Sequence, residues 1–83
     1  MIEVLKFSAT WCGPCRVLSQ TLKEVEGITN IDIEKDMETA RKYNVRQVPM
    51  LVFLKDGVEQ ARISGAISKQ KYDQILTELN LNK

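Results

Sequence analysis

The spacing of apolar residues changes period several times along this chain, and each change predicts an element. Ile2 to Ser8 is a short β-branched and aromatic-containing run, as expected of a buried strand. It leads into Ala9-Thr10-Trp11-Cys12-Gly13-Pro14-Cys15, a loop with turn-forming Gly and Pro. A helix is predicted to start there, because Pro14 suits a first helical turn and blocks a later one. Leu18, Leu22 and Val25 then recur at i, i+4 and i+7, and Gly27 is the expected C-cap. Thr29 to Glu34 alternates polar and apolar, predicting a half-exposed strand whose charges suit a sheet edge.

Asp36 can cap a short helix running to about Tyr43, with Ala40 and Tyr43 turned inward. Met50 to Leu54 is apolar throughout, as in a strand covered on both faces. Lys55-Asp56-Gly57 is a hairpin signal, since Asp-Gly supplies the positive φ of a tight primed turn. Gln60 to Ser64 alternates again and reads as the returning edge strand. Gly65 breaks the chain and Ser68 can cap a last helix. Its apolar stripe, Tyr72, Ile75, Leu76 and Leu79, reads as core rather than as a partner-binding face. The order is βαβαββα, an α/β pattern. Strands separated by helices pair in parallel, and the hairpin then adds antiparallel neighbours.

Composition narrows the class. The 83 residues are expected to form a single domain, residues 1–83, with no room for two cores. At 43% hydrophobic and 28% charged residues, disorder is not expected. A net charge of +1, without blocks of like charge, gives no reason to expect nucleic acid or an anionic membrane as partner. The longest apolar run, Val48 to Leu54, is far too short to cross a bilayer. Met1 to Lys6 lacks the basic segment and long apolar stretch of a signal peptide. The expectation is a soluble, cytoplasmic monomer.

That compartment bears on Cys12 and Cys15, which have two residues between them in a chain without histidine. In a reducing compartment a permanent structural disulfide is uncommon. Closing a four-residue loop would also contribute only about 2 kcal/mol on chain-entropy grounds, against about 4.7 for a hundred-residue loop. A helix start offers another use. Its unpaired N–H groups and dipole favour negative charge, which lowers the pKa of an exposed first cysteine from about 8.5 toward neutrality. Only the thiolate attacks a disulfide. Two intervening residues then place the second sulfur one turn on, so Cys12 reads as nucleophile and Cys15 as resolving thiol. Three alternatives stay open on the residues alone: a zinc site shared by a dimer, a bridged iron–sulfur site, and an idle or structural pair.

The flanking residues carry a resemblance. Trp11-Cys12-Gly13-Pro14-Cys15 resembles the thioredoxin active-site motif in all five residues. Val45-Arg46-Gln47-Val48-Pro49-Met50, followed by an apolar strand and Lys55-Asp56-Gly57, resembles that family's cis-proline segment and hairpin. Gly65-Ala66 resembles the glycine turn that follows. The similarity covers essentially the whole chain at family spacing. It implies a thioredoxin-like fold in a minimal form: a four-stranded mixed sheet in the order 2-1-3-4, flanked by three helices. It also implies a cis bond before Pro49, which suits a proline opening a regular strand. The backbone of Val48 would pair with an extended substrate. Trp11, Gly13, Val48, Pro49, Gly65 and Ala66 would form a shallow apolar surface around Cys12. Trp11 is then expected to be partly exposed, and Gly65 to be either a turn glycine or a substrate contact.

Two departures from the family pattern stand out. The active-site strand begins at residue 2, so a form without the family's usual opening strand and helix is expected, with the second strand as an edge. The position six before Cys12 usually holds a buried acid that helps the second cysteine exchange its proton, and here it is Lys6. The lysine that normally partners that acid maps to Asn30, so the usual relay does not carry over. Lys6 either snorkels to solvent or, partly buried, lowers the cysteine pKa values, with Asp32 as its expected partner.

The resemblance implies reversible dithiol–disulfide exchange run as reduction of protein disulfides, with no bound cofactor. Electrons would come from a flavin-dependent, NADPH-fed thioredoxin reductase, and the clients would be disulfide-containing proteins. A glutathione-coupled, glutaredoxin-like reductase is the runner-up, disfavoured by the lack of an aromatic residue between the cysteines. A non-redox binding or accessory module on the same fold is the alternative from another class.

Overall fold

A computed structural model describes residues 1–81. The elements run β1 (Ile2–Ser8), α1 (Gly13–Thr21), β2 (Ile28–Asp32), α2 (Met37–Lys42), β3 (Met50–Lys55), β4 (Val58–Ser64) and α3 (Lys69–Leu81). The strands form one sheet in the order β2-β1-β3-β4. β1 pairs in parallel with β2 and antiparallel with β3, and β3 pairs antiparallel with β4. This is the four-stranded mixed sheet and strand order that the family resemblance implies; the pairing rule read from the pattern holds for β1 with β2 but not for β3, which follows a helix and runs antiparallel to β1.

The periodicities explain the layers. β3 is buried from Met50 to Leu54 because both faces of the sheet are covered. On one face, Leu5, Phe7, Ile31, Met50, Val52 and Leu54 pack with Ala40 and Tyr43 of the α2 segment. On the other, Val4, Leu51 and Phe53 pack with Leu18 and Leu22 of the α1 segment and Tyr72 of α3. Each fully buried side chain of this kind contributes about 1.5–3 kcal/mol relative to exposure. Tilted aromatic pairs, Phe7 with Tyr43 at 6.1 Å and Phe53 with Tyr72 at 5.9 Å, bind a helical segment to each face.

Local signals hold at most ends. Asp36 caps α2, accepting the Thr39 N–H at 3.1 Å, and Ser68 accepts the Lys71 N–H at 3.1 Å at the start of α3. The hairpin turn takes φ of 52° at Asp56 and 83° at Gly57. β2 begins at Ile28 rather than Thr29 and β4 at Val58 rather than Gln60, and two ends differ further. α1 ends at Thr21 with Leu22 as its cap, and a turn bonded from the Val25 N–H to the Leu22 carbonyl follows. Leu22 and Val25 still reach the core, but Gly27, at φ 83°, serves the entry to β2 rather than the helix end. β2 stops at Asp32, not Glu34, because β1 ends at the paired Ser8 and leaves nothing beyond to pair with. Asp32 instead turns the chain by accepting the Glu34 N–H at 2.9 Å.

Candidate active site

β1, an interior strand, ends at Ser8, and Ala9 to Cys12 turn the chain into α1. Cys12 is the N-cap residue, in extended conformation at φ −92° and ψ 108°. Pro14 follows in the first turn, where its missing N–H costs no helical hydrogen bond. The Sγ of Cys12 accepts the backbone N–H of Cys15 at 3.1 Å. The two sulfurs are joined in a disulfide, with Cα atoms 5.3 Å apart. The loop is held from outside. Arg16 donates to the Thr10 carbonyl at 3.0 Å, and the Thr10 hydroxyl donates to Glu34 at 3.1 Å. Neither link stands out in the sequence, since each joins exposed polar residues in different segments.

One expectation about the sulfurs needs correction. A helix-start nucleophile is expected to be exposed, but in the disulfide form Cys12 is 4% exposed and Cys15 3%. Ala9 packs with both, and the half-buried Ile33 and Val48 close over them. The apolar rim explains the burial: a disulfide carries no charge and needs no solvent. Trp11 projects outward, 67% exposed, and Gly13 is exposed with open space where a side chain would stand.

The second loop comes from the far side. The Val48–Pro49 bond is cis, Pro49 is buried, and Val48 lies against the cysteine cluster. The Pro49 carbonyl accepts the N–H of Gly65, whose φ of 94° is a conformation only glycine adopts without strain. Gly65 is therefore a turn glycine that ties the end of β4 to the proline loop, and the exposed Ala66 follows it. Val48 belongs to none of the strand pairings among the described residues.

Among the described residues Lys6, in β1, is the buried charged residue, 8% exposed. Its partner is not the expected Asp32. The Lys6 Nζ instead donates to the Ser19 Oγ at 2.7 Å, because across the ladder Lys6 stands opposite Asn30, with Asp32 two positions further along β2. The side chain is largely covered, and its end lies in a depression beside the exposed Ser19 and Asn30. Burial pushes the Lys6 pKa down from its ordinary value of 10.5. Ser19 is a residue the sequence reading passes over. The signal for it is present: it stands at i+4 from Cys15, on the same helix face.

A family model described as Thioredoxin matches residues 2–78. The chain belongs to the thioredoxin family. It is 32% identical over 82 residues to a thioredoxin of Staphylococcus epidermidis, an alignment covering 90% of this chain and 79% of that protein. Among solved structures, the reduced thioredoxin pre-protein of Schistosoma mansoni is 33% identical and superposes with a TM-score of 0.82. That match covers 92% of this chain and 77% of the other. A mutant thioredoxin of Halobacterium salinarum, 26% identical, gives a TM-score of 0.84 over 89% of this chain and 70% of that one. Membership of the thioredoxin family makes the Cys12–Cys15 pair a redox-active dithiol, and the chain a disulfide oxidoreductase.

Proposed function

We propose that this protein reduces disulfides of client proteins, with Cys12 as the attacking sulfur and Cys15 as the resolving one. The observation that carries the assignment is the contact between the Cys12 Sγ and the Cys15 N–H at the start of α1. In the reduced protein that N–H and the helix dipole favour a thiolate on Cys12. The thiolate attacks one sulfur of the client, and the first client sulfur leaves and takes up a proton. Cys15, once deprotonated, attacks Cys12, the mixed disulfide breaks, and the second client sulfur leaves. Two electrons and two protons pass to the client, and Cys12–Cys15 is again a disulfide.

Burial of both sulfurs restricts the approach. A client reaches Cys12 past the rim of Trp11, Gly13, Val48 and Pro49, with Gly65 and Ala66 behind the proline loop. The peptide groups of Val48 lie outside the sheet ladder, which supports their pairing with an extended client segment. A shallow, nearly neutral rim suits many clients rather than one. No bound cofactor is needed, and the two electrons that restore the dithiol come from an NADPH-dependent thioredoxin reductase. The working form is a cytoplasmic monomer that needs neither nucleic acid nor membrane.

Insulin-disulfide reduction, driven first by dithiothreitol and then by a thioredoxin reductase with NADPH, is the direct test. Activity is expected with both, lost in Cys12→Ser, while Cys15→Ser is expected to accumulate mixed disulfide. Activity that survives Cys12→Ser would overturn the assignment. Turnover with glutathione and its reductase but not with NADPH-thioredoxin reductase would replace it by the glutaredoxin-like reading.

A further inference from the structure

Cys15 is the more demanding of the two sulfurs. It is 3% exposed, yet on the function proposed above it must lose a proton in every cycle before it can attack Cys12. A buried thiol in an apolar shell resists ionisation unless a charge or a donor favours the thiolate. The surroundings of Cys15 contain such a group. Ser19 lies one turn along α1 and accepts from the Lys6 Nζ at 2.7 Å. A hydroxyl that accepts from an ammonium keeps its own hydrogen free to donate elsewhere.

Ser19 also lines two surface depressions. One, of about 470 Å³, it shares with Ser8, Cys15 and Arg16. The other, of about 360 Å³, it shares with Lys6, Lys23 and Asn30. The exposed Ser19 is thus hydrogen-bonded to the cation and shares a depression with the thiol, and each of the two groups has its own opening to solvent. We propose that Lys6, acting through Ser19, is a positioning residue that holds Cys15 toward its thiolate, with the depression beside Ser19 as the route by which the proton leaves.

The charges facing this pair support the sign. α1 brings Arg16 to the Cys15 side and Lys23 to the Lys6 side. β2 brings Asn30 and, two residues on, Asp32, whose carboxylate is engaged by the Glu34 N–H. β3 contributes Leu51 and Phe53 to this face, and α3 the buried Tyr72. Among the described residues no carboxylate forms an ion pair with Lys6. The Cys15 proton passes to solvent water by way of Ser19, and the thiolate attacks Cys12. The bond from Cys12 to the client sulfur breaks, and that sulfur leaves with the electron pair and takes a proton from water. A cation that stabilises the thiolate stabilises the reduced protein, so it makes the pair a weaker reductant than it would otherwise be.

The inference rests on Cys15 being the resolving thiol, and its test separates the two. In Cys12→Ser protein, Cys15 is the one remaining thiol, and its ultraviolet thiolate absorbance reports its ionisation against pH. Adding Lys6→Met is expected to move that midpoint upward. Ser19→Ala should move it less, in the same direction, and Lys6→Arg should restore much of the difference. In the intact dithiol, Lys6→Met should shift the equilibrium with glutathione toward the protein disulfide by about tenfold, equivalent to about 30 mV. Lys6→Gln serves if the Met variant fails to fold. A folded Lys6 variant in which midpoint and equilibrium both stay put overturns the inference. A Cys15→Ser protein with Lys6 intact that traps no mixed disulfide overturns the underlying function instead, whatever the Lys6 variants do.

Discussion

β1 presents two different surfaces on its two faces, and the contrast separates what holds this molecule together from what makes it react. On one face Leu5 and Phe7 join a dry cluster with Ile31, Met50, Val52 and Ala40. On the other, Val4 is apolar and packs with Leu18, Leu22 and Phe53, but Lys6 and Ser8 follow it. The polar half of that second face lies beneath the dithiol. There the same sheet that elsewhere excludes water places an ammonium, the Ser8 hydroxyl and Asn30, and α1 adds the Ser19 hydroxyl. A buried charge with a neutral partner is a destabilising feature in a small domain, where little stability can be spared. Its hydrogen bond to Ser19, one turn beyond Cys15, is what links it to the chemistry proposed above rather than to folding.

The strongest way to break the comparison is to damage the dry face and watch the dithiol. Phe7 is completely buried and stacks against Tyr43. Phe7→Ala is expected to cost about 3–5 kcal/mol, a large share of the stability of a small domain, read as a fall in the urea midpoint. The thiol–disulfide equilibrium of the molecules that remain folded should stay where it was. If it moves as far as it does in Lys6→Met, the two faces are not separate in function.

A smaller effect of opposite sign is expected on the polar half. Burial lowers the Lys6 pKa from its ordinary value of 10.5, so between the lowered value and 10.5 the unfolded chain binds more protons than the folded one. Stability contributed by this group therefore rises with pH across that window, and at neutral pH the ammonium is a net cost. Lys6→Met, similar in length and without the charge, should unfold at a higher temperature at neutral pH. The gain should shrink as the pH climbs toward 10.5, where the unfolded lysine also loses its charge. Thermal melts across that range check it. A Met variant less stable than the parent at neutral pH would mean that the Ser19 hydrogen bond outweighs desolvation.

The dry face is largely legible in the sequence and the polar half is not, for a physical reason. Periodicity reports which side chains leave water, so the uniform run at Met50 to Leu54 and the stripe at Tyr72, Ile75, Leu76 and Leu79 place the core directly. The Trp11 to Cys15 motif, the Asp-Gly turn and the proline after Val48 likewise name their conformations locally. Lys6 can be seen as an anomaly, but not where its ammonium goes. A neighbouring strand suggests Asp32, and the acceptor proves to be a serine on the overlying helix. The burial of Cys12 is hidden for a related reason. Exposure at a helix start is an expectation about isolated helices, and here Ile33 and Val48 arrive from distant parts of the chain to cover it.

The smallest expected effect lies at the rim of the dry face and has the opposite pH signature from Lys6. Asp36 caps α2, the helix that brings Ala40 to Leu5 and Phe7, through hydrogen bonds from the Thr39 N–H and hydroxyl. Those two bonds favour the carboxylate and hold the Asp36 pKa below its ordinary value of 3.8. In acid, then, the unfolded chain takes up its proton first. The cap's contribution is fully present above 3.8 and is lost as the pH falls through the lowered folded value. Asp36→Ala should lower the melting temperature at neutral pH by far less than Phe7→Ala, because an exposed cap orders one turn whereas Phe7 anchors a whole face. The difference between parent and variant should narrow in acid and be unaffected in alkali, where the Lys6 variant changes. Melts of the two single variants and their double, run at acid, neutral and alkaline pH, set these signatures side by side. If the Asp36 difference persists undiminished in acid, the cap works through the Asp36 backbone conformation rather than its charge, and the dry face has no electrostatic component of its own.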